Sequence, residues 1–181
     1  MIICADDFGI SPAVNTGILE LASAKRISSI SCMMIGPSVE HAMAELRLFE
    51  KRFDAGLHLV LTNDPPLTNL STDSGLTDPQ GNLLSFGKLM KNAYLKKIDN
   101  VALKKEIYAQ LDRFMTLSGH PPDYIDGHQH IQQLPIIRDA IVEVAQELLK
   151  NNPNTYIRVA QLPRNWLMTT GVSRSGRFFL G

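Results

Sequence analysis

Cysteine is scarce in this chain, with two in 181 residues, Cys4 and Cys32, each inside an apolar run that reads as a strand. Two such thiols make no disulfide framework and read as buried groups in a reducing compartment. Charge of one sign is equally lacking: 18 Lys and Arg balance 18 Asp and Glu. No basic field is therefore available to concentrate nucleic acid or an anionic membrane. No apolar run approaches the ~20 residues needed to span a bilayer. No basic stretch runs into a long apolar segment at the start, so a secretory signal is not expected. Neither G-x-G-x-x-G nor G-x-x-x-x-G-K-[ST] occurs, which removes the common phosphate loops. Asp7-Phe8-Gly9 spells the kinase triplet, but it lies at the wrong end of the chain, with no Gly-rich loop, strand lysine or H-R-D before it. What is left is a neutral globular protein, expected in the cytoplasm. At 44% hydrophobic and 20% charged residues it has the composition of one domain with a sizeable core.

Short β-rich runs alternate with helical spacing. Residues 1–5 read as a first strand, and Ser11-Pro12 opens a helix with a good N-cap and a proline where no N–H is needed. Residues 28–35 read as a second strand, 39–49 as a helix and 54–61 as a third strand. From Thr62 to about Gly87 there is little periodicity, and a long loop of this kind is usually a binding wall or lid. A helix over 102–118, a strand over 124–128, a helix over 136–149 and a strand over 155–159 complete the order. This alternation predicts an α/β fold with a parallel sheet.

In such folds chemistry gathers where the strands end. The first strand runs out at Asp6-Asp7, the third carries His58 near its end, and the fourth ends in Asp126-Gly127-His128-Gln129-His130. Two imidazoles and a carboxylate form a common mononuclear divalent site. On extended backbone His128 and His130 would share one face, while Asp6 and Asp7 would point to opposite sides. The repelling pair then makes sense, because a cation can neutralise one carboxylate while the other stays free as a base. His41 and His120, in a helix and a Gly-Pro loop, read as structural.

Ala5-Asp-Asp-Phe-Gly-Ile-Ser, Gly56-Leu-His-Leu-Val-Leu-Thr and Asp126-Gly-His-Gln-His, in that order and spacing, resemble the YdjC-like carbohydrate deacetylases (the ChbG/HpnK group). The resemblance implies a distorted (β/α) barrel of parallel strands and removal of acetyl groups from N-acetylated sugars such as chitooligosaccharides. It implies a divalent metal ion, Mg or Zn, held by Asp7, His58 and His128. Asp6 falls where related polysaccharide deacetylases keep their base, and His130 matches a further histidine of the motif, a candidate acid. The family's late Cys-His-Pro-Gly-like segment has no match here. One domain over 1–181, lacking its last strands, is therefore expected, with a homodimer as the other means of covering the sheet edge. The implied partner is an N-acetylated oligosaccharide, with neither nucleic acid nor membrane. A metal-dependent phosphoesterase or cyclic amidohydrolase, and a non-catalytic sugar-binding relative, are the competing readings.

Overall fold

Alternation of polar and apolar residues along each strand decides how this chain folds. The computed structural model describes residues 2–49, 53–150 and 152–159. Strand β1 (Cys4–Phe8) leads into helix α1 (Pro12–Ser23), then β2 (Ser29–Cys32), α2 (Val39–Leu46) and β3 (Asp54–Leu59). After a long connection come α3 (Phe86–Tyr94), α4 (Asn100–Ser118), β4 (Tyr124–Gly127), α5 (Ile137–Leu149) and β5 (Tyr156–Ile157). The five strands pair in chain order, every pair parallel. This is an α/β fold built on an open parallel sheet, consistent with an incomplete barrel. Crossovers between successive parallel neighbours pack helix residues such as Ile18, Met43, Ile107 and Ile141 into one core with the strands, as right-handed connections of this kind do.

The register sorts the side chains. Cys32, Leu57, Ile125 and Ile157 lie in one row across the sheet. Ile30, Leu57, Leu59 and Ile125 pack with Ile18, Met43, Ile107, Phe114, Ile141 and Val144 in a single core cluster. The alternate positions belong to the other face, where one row reads Ser31, Gly56, Tyr124 and Tyr156, and the next pairs His58 with Asp126. One face of the sheet is thus apolar and helix-covered, and the opposite face carries the chemistry.

Local sequence fixes the joints. Ser11 is extended (φ −158°) and accepts from Val14 N at 3.3 Å, with Pro12 opening α1. Gly9 precedes it with φ +103°, and its N–H donates to the buried Asn15 Oδ1 at 2.7 Å, tying the β1–α1 turn to the helix. Asp99 caps α4 through Val101 N at 2.8 Å.

The connection after β3 is more ordered than its composition predicts. It holds a 3-10 turn at Thr72–Ser74 and an antiparallel bridge between Thr77 and Leu83. Two buried side chains of α4 hold it. Glu106 accepts from Leu67 N (3.0 Å), Thr68 N (2.9 Å) and Thr68 Oγ1 (2.6 Å), and Gln110 bonds both the N–H and C=O of Val60. Helix α3 follows Ser85, whose side chain makes no capping hydrogen bond, and buries Leu89 and Ala93; its composition alone does not predict it.

Strand bounds shift by a few residues, and β1 starts later than expected, at Cys4. At the far edge, β5 pairs with β4 and has no other neighbour among the described residues, and Val159 just beyond it is exposed. The end of the expected domain, residues 160–181, lies outside the described residues.

Candidate active site

The pair Asp6-Asp7 sits in a bulge. Ala5 pairs with Ile30 and Phe8 with Cys32, so two residues of β1 stand opposite the single Ser31 of β2. Asp7 takes φ +65°, left-handed backbone that a non-glycine residue rarely adopts. The expectation that the two carboxylates point to opposite sides therefore does not hold. The extra residue turns Asp7 so that both carboxylates reach the same imidazole, His58.

Asp7, His58 and His128 offer ligand atoms that all lie within 4.8 Å of one another. His58 Nε2 is 3.2 Å from Asp7 Oδ1, and His128 Nδ1 is 2.9 Å from the same oxygen. The two rings stand edge to face, with centroids 5.5 Å apart. The other nitrogen of His58, Nδ1, is 2.7 Å from Asp126 Oδ1. Asp126 is fully buried, and its second oxygen accepts from Ser31 Oγ at 2.9 Å and from Arg158 Nε at 2.5 Å. A carboxylate behind an imidazole fixes the ring and its tautomer, leaving the far nitrogen to face a metal. The donor set therefore fits a divalent cation: one carboxylate and two imidazoles, with the buried imidazole oriented from behind.

Asp6 is placed apart from that trio. Its Oδ1 accepts from Arg158 Nη2 at 2.7 Å and from Cys4 Sγ at 3.2 Å. Arg158 spans Asp6 and Asp126, so one guanidinium holds two carboxylates. Partial burial pushes the Asp6 carboxyl up, but the hydrogen bond and charge of Arg158, with the charge of His58, bring it below its usual value. Asp7 is lowered chiefly by its hydrogen bond with His58, against some desolvation and with help from His128. Desolvation opposes protonation of His58, yet the bonds to Asp126 and Asp7 win and raise it to about 9. The side chains of Asp6 and Asp7 are 39% and 38% exposed, against 4% for His58. The two carboxylates are open to solvent while the imidazole lies buried beneath them.

His130 is not brought into the group. The chain turns at His128–Gln133 as a 3-10 segment in which Gln129 and His130 have φ of 56° and 59°. The expected alternation between His128 and His130 is lost there, and His130 is exposed. His41 lies in α2, 3.7 Å from Glu45, and the His120 ring is 2.8 Å from Pro121 O, both away from the rim. Cys4 corrects a further expectation. It is only partly buried, and it touches Asp6 rather than the core.

A profile of the YdjC-like protein family matches residues 1–178. The chain belongs to the YdjC-like family. Chitooligosaccharide deacetylases of Yersinia pestis (strain Pestoides F) and Yersinia pseudotuberculosis (serotype O:3) are each 35% identical over 147 residues, covering 81% of this chain. The chain spans about 56% of the length of these curated relatives. Among solved structures, a protein of Enterococcus faecalis V583 provisionally described as a cellobiose-phosphate cleavage protein superposes with a TM-score of 0.73 at 26% identity. That likeness covers 93% of this chain and 62% of the other.

Four members of this YdjC-like rim carry no role in the sequence reading: Ser31, Tyr124, Asp126 and Arg158. Period two was the missed signal. Arg158 follows Tyr156 by two positions on the same face, as Asp126 follows Tyr124 and His58 follows Gly56.

Proposed function

We propose that this chain carries the metal-binding half-site and the base of a carbohydrate deacetylase acting on N-acetylated sugars of the chitooligosaccharide type. The observation that carries the reading is the separation of roles around His58. Asp7 and His128 converge with it on one point, while Arg158 holds Asp6 beside that point. The family, and relatives that are chitooligosaccharide deacetylases, supply the substrate class.

Asp7, His58 and His128 would hold a divalent cation, Mg or Zn. Such an ion, when bound, polarises an acetamide carbonyl and acidifies water. The residues of the chain do the rest. Asp126, anchored by Ser31 and Arg158, fixes His58 with Nε2 directed at the ion site. Asp6, kept ionised by Arg158, is the base that takes the proton of the attacking water. As the amide C–N bond breaks, the departing amine needs a proton; His130, two residues past His128 on the same 3-10 turn, is the motif's candidate for this role, although it lies outside the group formed by Asp7, His58 and His128. The connection at 60–85, pinned by Glu106 and Gln110, forms the wall of the sugar site.

A second group, Asp6, His58 and Asp126, also has ligand atoms within 4.8 Å, which would suit a two-metal phosphoesterase. The Arg158 guanidinium already bonds both of its carboxylates. A second ion would have to displace that charge, so the one-metal hydrolase is favoured.

The test is metal analysis of the purified protein, followed by acetate release from N-acetylglucosamine oligomers with the identified metal. A chromogenic phosphoester serves as the competing substrate. Acetate release with no phosphoester turnover supports the proposal. The reverse outcome, or stoichiometric sugar binding with no acetate released, refutes it.

A further inference from the structure

Beneath the rim, a chain of hydrogen bonds joins the two carboxylates that Arg158 joins from above. Cys4 Sγ donates to Asp6 Oδ1 at 3.2 Å, and Ser31 Oγ donates to Asp126 Oδ2 at 2.9 Å. Between them stands the Tyr124 hydroxyl, 3.1 Å from Cys4 Sγ and 2.8 Å from Ser31 Oγ. The proton inventory fixes the direction of this chain. A carboxylate only accepts, so the Cys4 thiol and the Ser31 hydroxyl each spend their single proton outward. Both can then only accept from Tyr124, whose one proton is shared between the Ser31 oxygen and the Cys4 sulfur as a bifurcated donor. The ring runs Asp6, Cys4, Tyr124, Ser31, Asp126, Arg158 and back to Asp6.

Reaching this position is unusual for a tyrosine. Tyr124 lies on β4, and its hydroxyl crosses β3 to meet β2 and β1. The crossing is possible because its register partner on β3 is Gly56. A Cβ there would meet the Tyr124 ring at 2.3 Å, through the body of the side chain. The ring is fully buried and stacked on Tyr156, with centroids 5.3 Å apart. Gly56 thus makes a slot, and Tyr124 fills it with its polar end aimed at the two donors.

We propose that Tyr124 is a positioning residue for the base Asp6, acting through Cys4 and Ser31 as a strut seated over Gly56. The proposal rests on the deacetylase reading for the identity of the reaction, but the strut is measurable without turnover. It touches no ligand of the ion, so its loss shifts the base and leaves metal content alone.

The experiment compares Tyr124→Phe, Gly56→Ala, Cys4→Ala and Cys4→Ser by bound metal, steady-state kinetics on N-acetylglucosamine oligomers, and the infrared S–H stretch of Cys4. That band is assigned by subtracting the Cys4→Ser spectrum, which also removes Cys32. Tyr124→Phe, Gly56→Ala and Cys4→Ala are expected to lose roughly 3- to 10-fold in kcat, the size of one net hydrogen bond expressed in the barrier. KM and metal stoichiometry should stay as in the parent, and Cys4→Ser should recover most of what Cys4→Ala loses. The S–H band should move in Tyr124→Phe, in Gly56→Ala and in Asp6→Asn. Unchanged kcat in Tyr124→Phe, or an S–H band indifferent to Asp6→Asn, overturns the strut. Loss of metal in Tyr124→Phe overturns it as well. If the parent protein releases no acetate, the deacetylase reading fails by itself, and the band positions still decide whether the strut exists.

Discussion

Removing divalent metal should make stability fall with rising pH, and the cause is one side chain. His58 is 3% exposed, with Asp126 on Nδ1 and Asp7 on Nε2. Its folded pKa is raised from 6.5 to about 9, because the two carboxylates outweigh the desolvation that opposes protonation. A proton held more tightly by the folded than the unfolded chain stabilises the fold wherever it is bound in the first and absent from the second. The contribution is therefore complete below pH 6.5 and is lost as pH climbs to about 9. Its size is on the order of 3 kcal/mol, at a slope approaching about 1.4 kcal/mol per pH unit. Urea denaturation in EDTA at pH 6.5, 7.5 and 8.5 measures it, with His58→Gln subtracted to remove every other titrating group. Added Zn should reverse the trend, because the ion takes the Nε2 lone pair that the proton occupies, and its affinity should rise about tenfold per pH unit over the same window. A subtracted stability that is flat or rises between pH 6.5 and 8.5 would refute the ion-paired imidazole. Zn affinity independent of pH would refute His58 as its ligand.

The remaining expectations concern single side chains. Asp7→Asn should lose bound metal and acetate release together, while Asp6→Asn should keep the metal and lose roughly 10²–10⁴-fold in kcat, both read by metal analysis and an acetate assay. Arg158→Lys should keep the fold and lower kcat, since one ammonium cannot hold both carboxylates as the fork does. Arg158→Met should also cost about 3–5 kcal/mol in urea denaturation, because the buried Asp126 loses its cation. His130→Gln should lower kcat on substrates with poor leaving amines more than on activated anilides, and equal effects on both would remove it as the acid. Glu106→Ala strips partners from the backbone of Leu67 and Thr68, so it should cost about 2–4 kcal/mol and open residues 62–85 to limited proteolysis.

Much of the fold was legible because it rests on local signals. Ser11-Pro12, the Ile/Leu stripe of α4 and the apolar runs of β2 to β4 each point one way, and the structure follows them. Helix α3 does carry a stripe, with Phe86, Leu89, Met90 and Ala93 at helical spacing against the core, but it is short and follows a stretch rich in Pro, Gly and polar residues that reads as loop. The rim histidine His58 and the pair Asp6-Asp7 stand out as charges at strand ends. Their geometry did not, since simple alternation assumes extended backbone. Two departures defeat it, the bulge that puts Asp7 at φ +65° and the turn that puts His130 at φ +59°. Arg158 and Tyr124 went unnoticed for a different reason. A lone arginine or tyrosine at a strand position carries no motif, and only the cross-strand register reveals that both face Asp126.

The charges at the rim bear on which substrate the proposed reaction would suit. Asp6, Asp7 and Asp126 contribute three negative charges, and Arg158 one positive. A protonated His58 leaves the group at minus one with His128 counted neutral. Exchanging that proton for a single divalent ion brings the group to zero. A neutral site suits a neutral acetamide, where the charge to be stabilised appears only as the carbonyl carbon is attacked. A second divalent ion would carry the same group to plus two, the balance that a phosphoester dianion needs. The fixed Arg158, bonded to both of the carboxylates such an ion would require, holds the rim at the lower charge. The bulge in β1 serves the same end. It brings two carboxylates to one imidazole, so that under the proposed reading Asp7 would meet the ion while Asp6, held by the guanidinium, would take the proton.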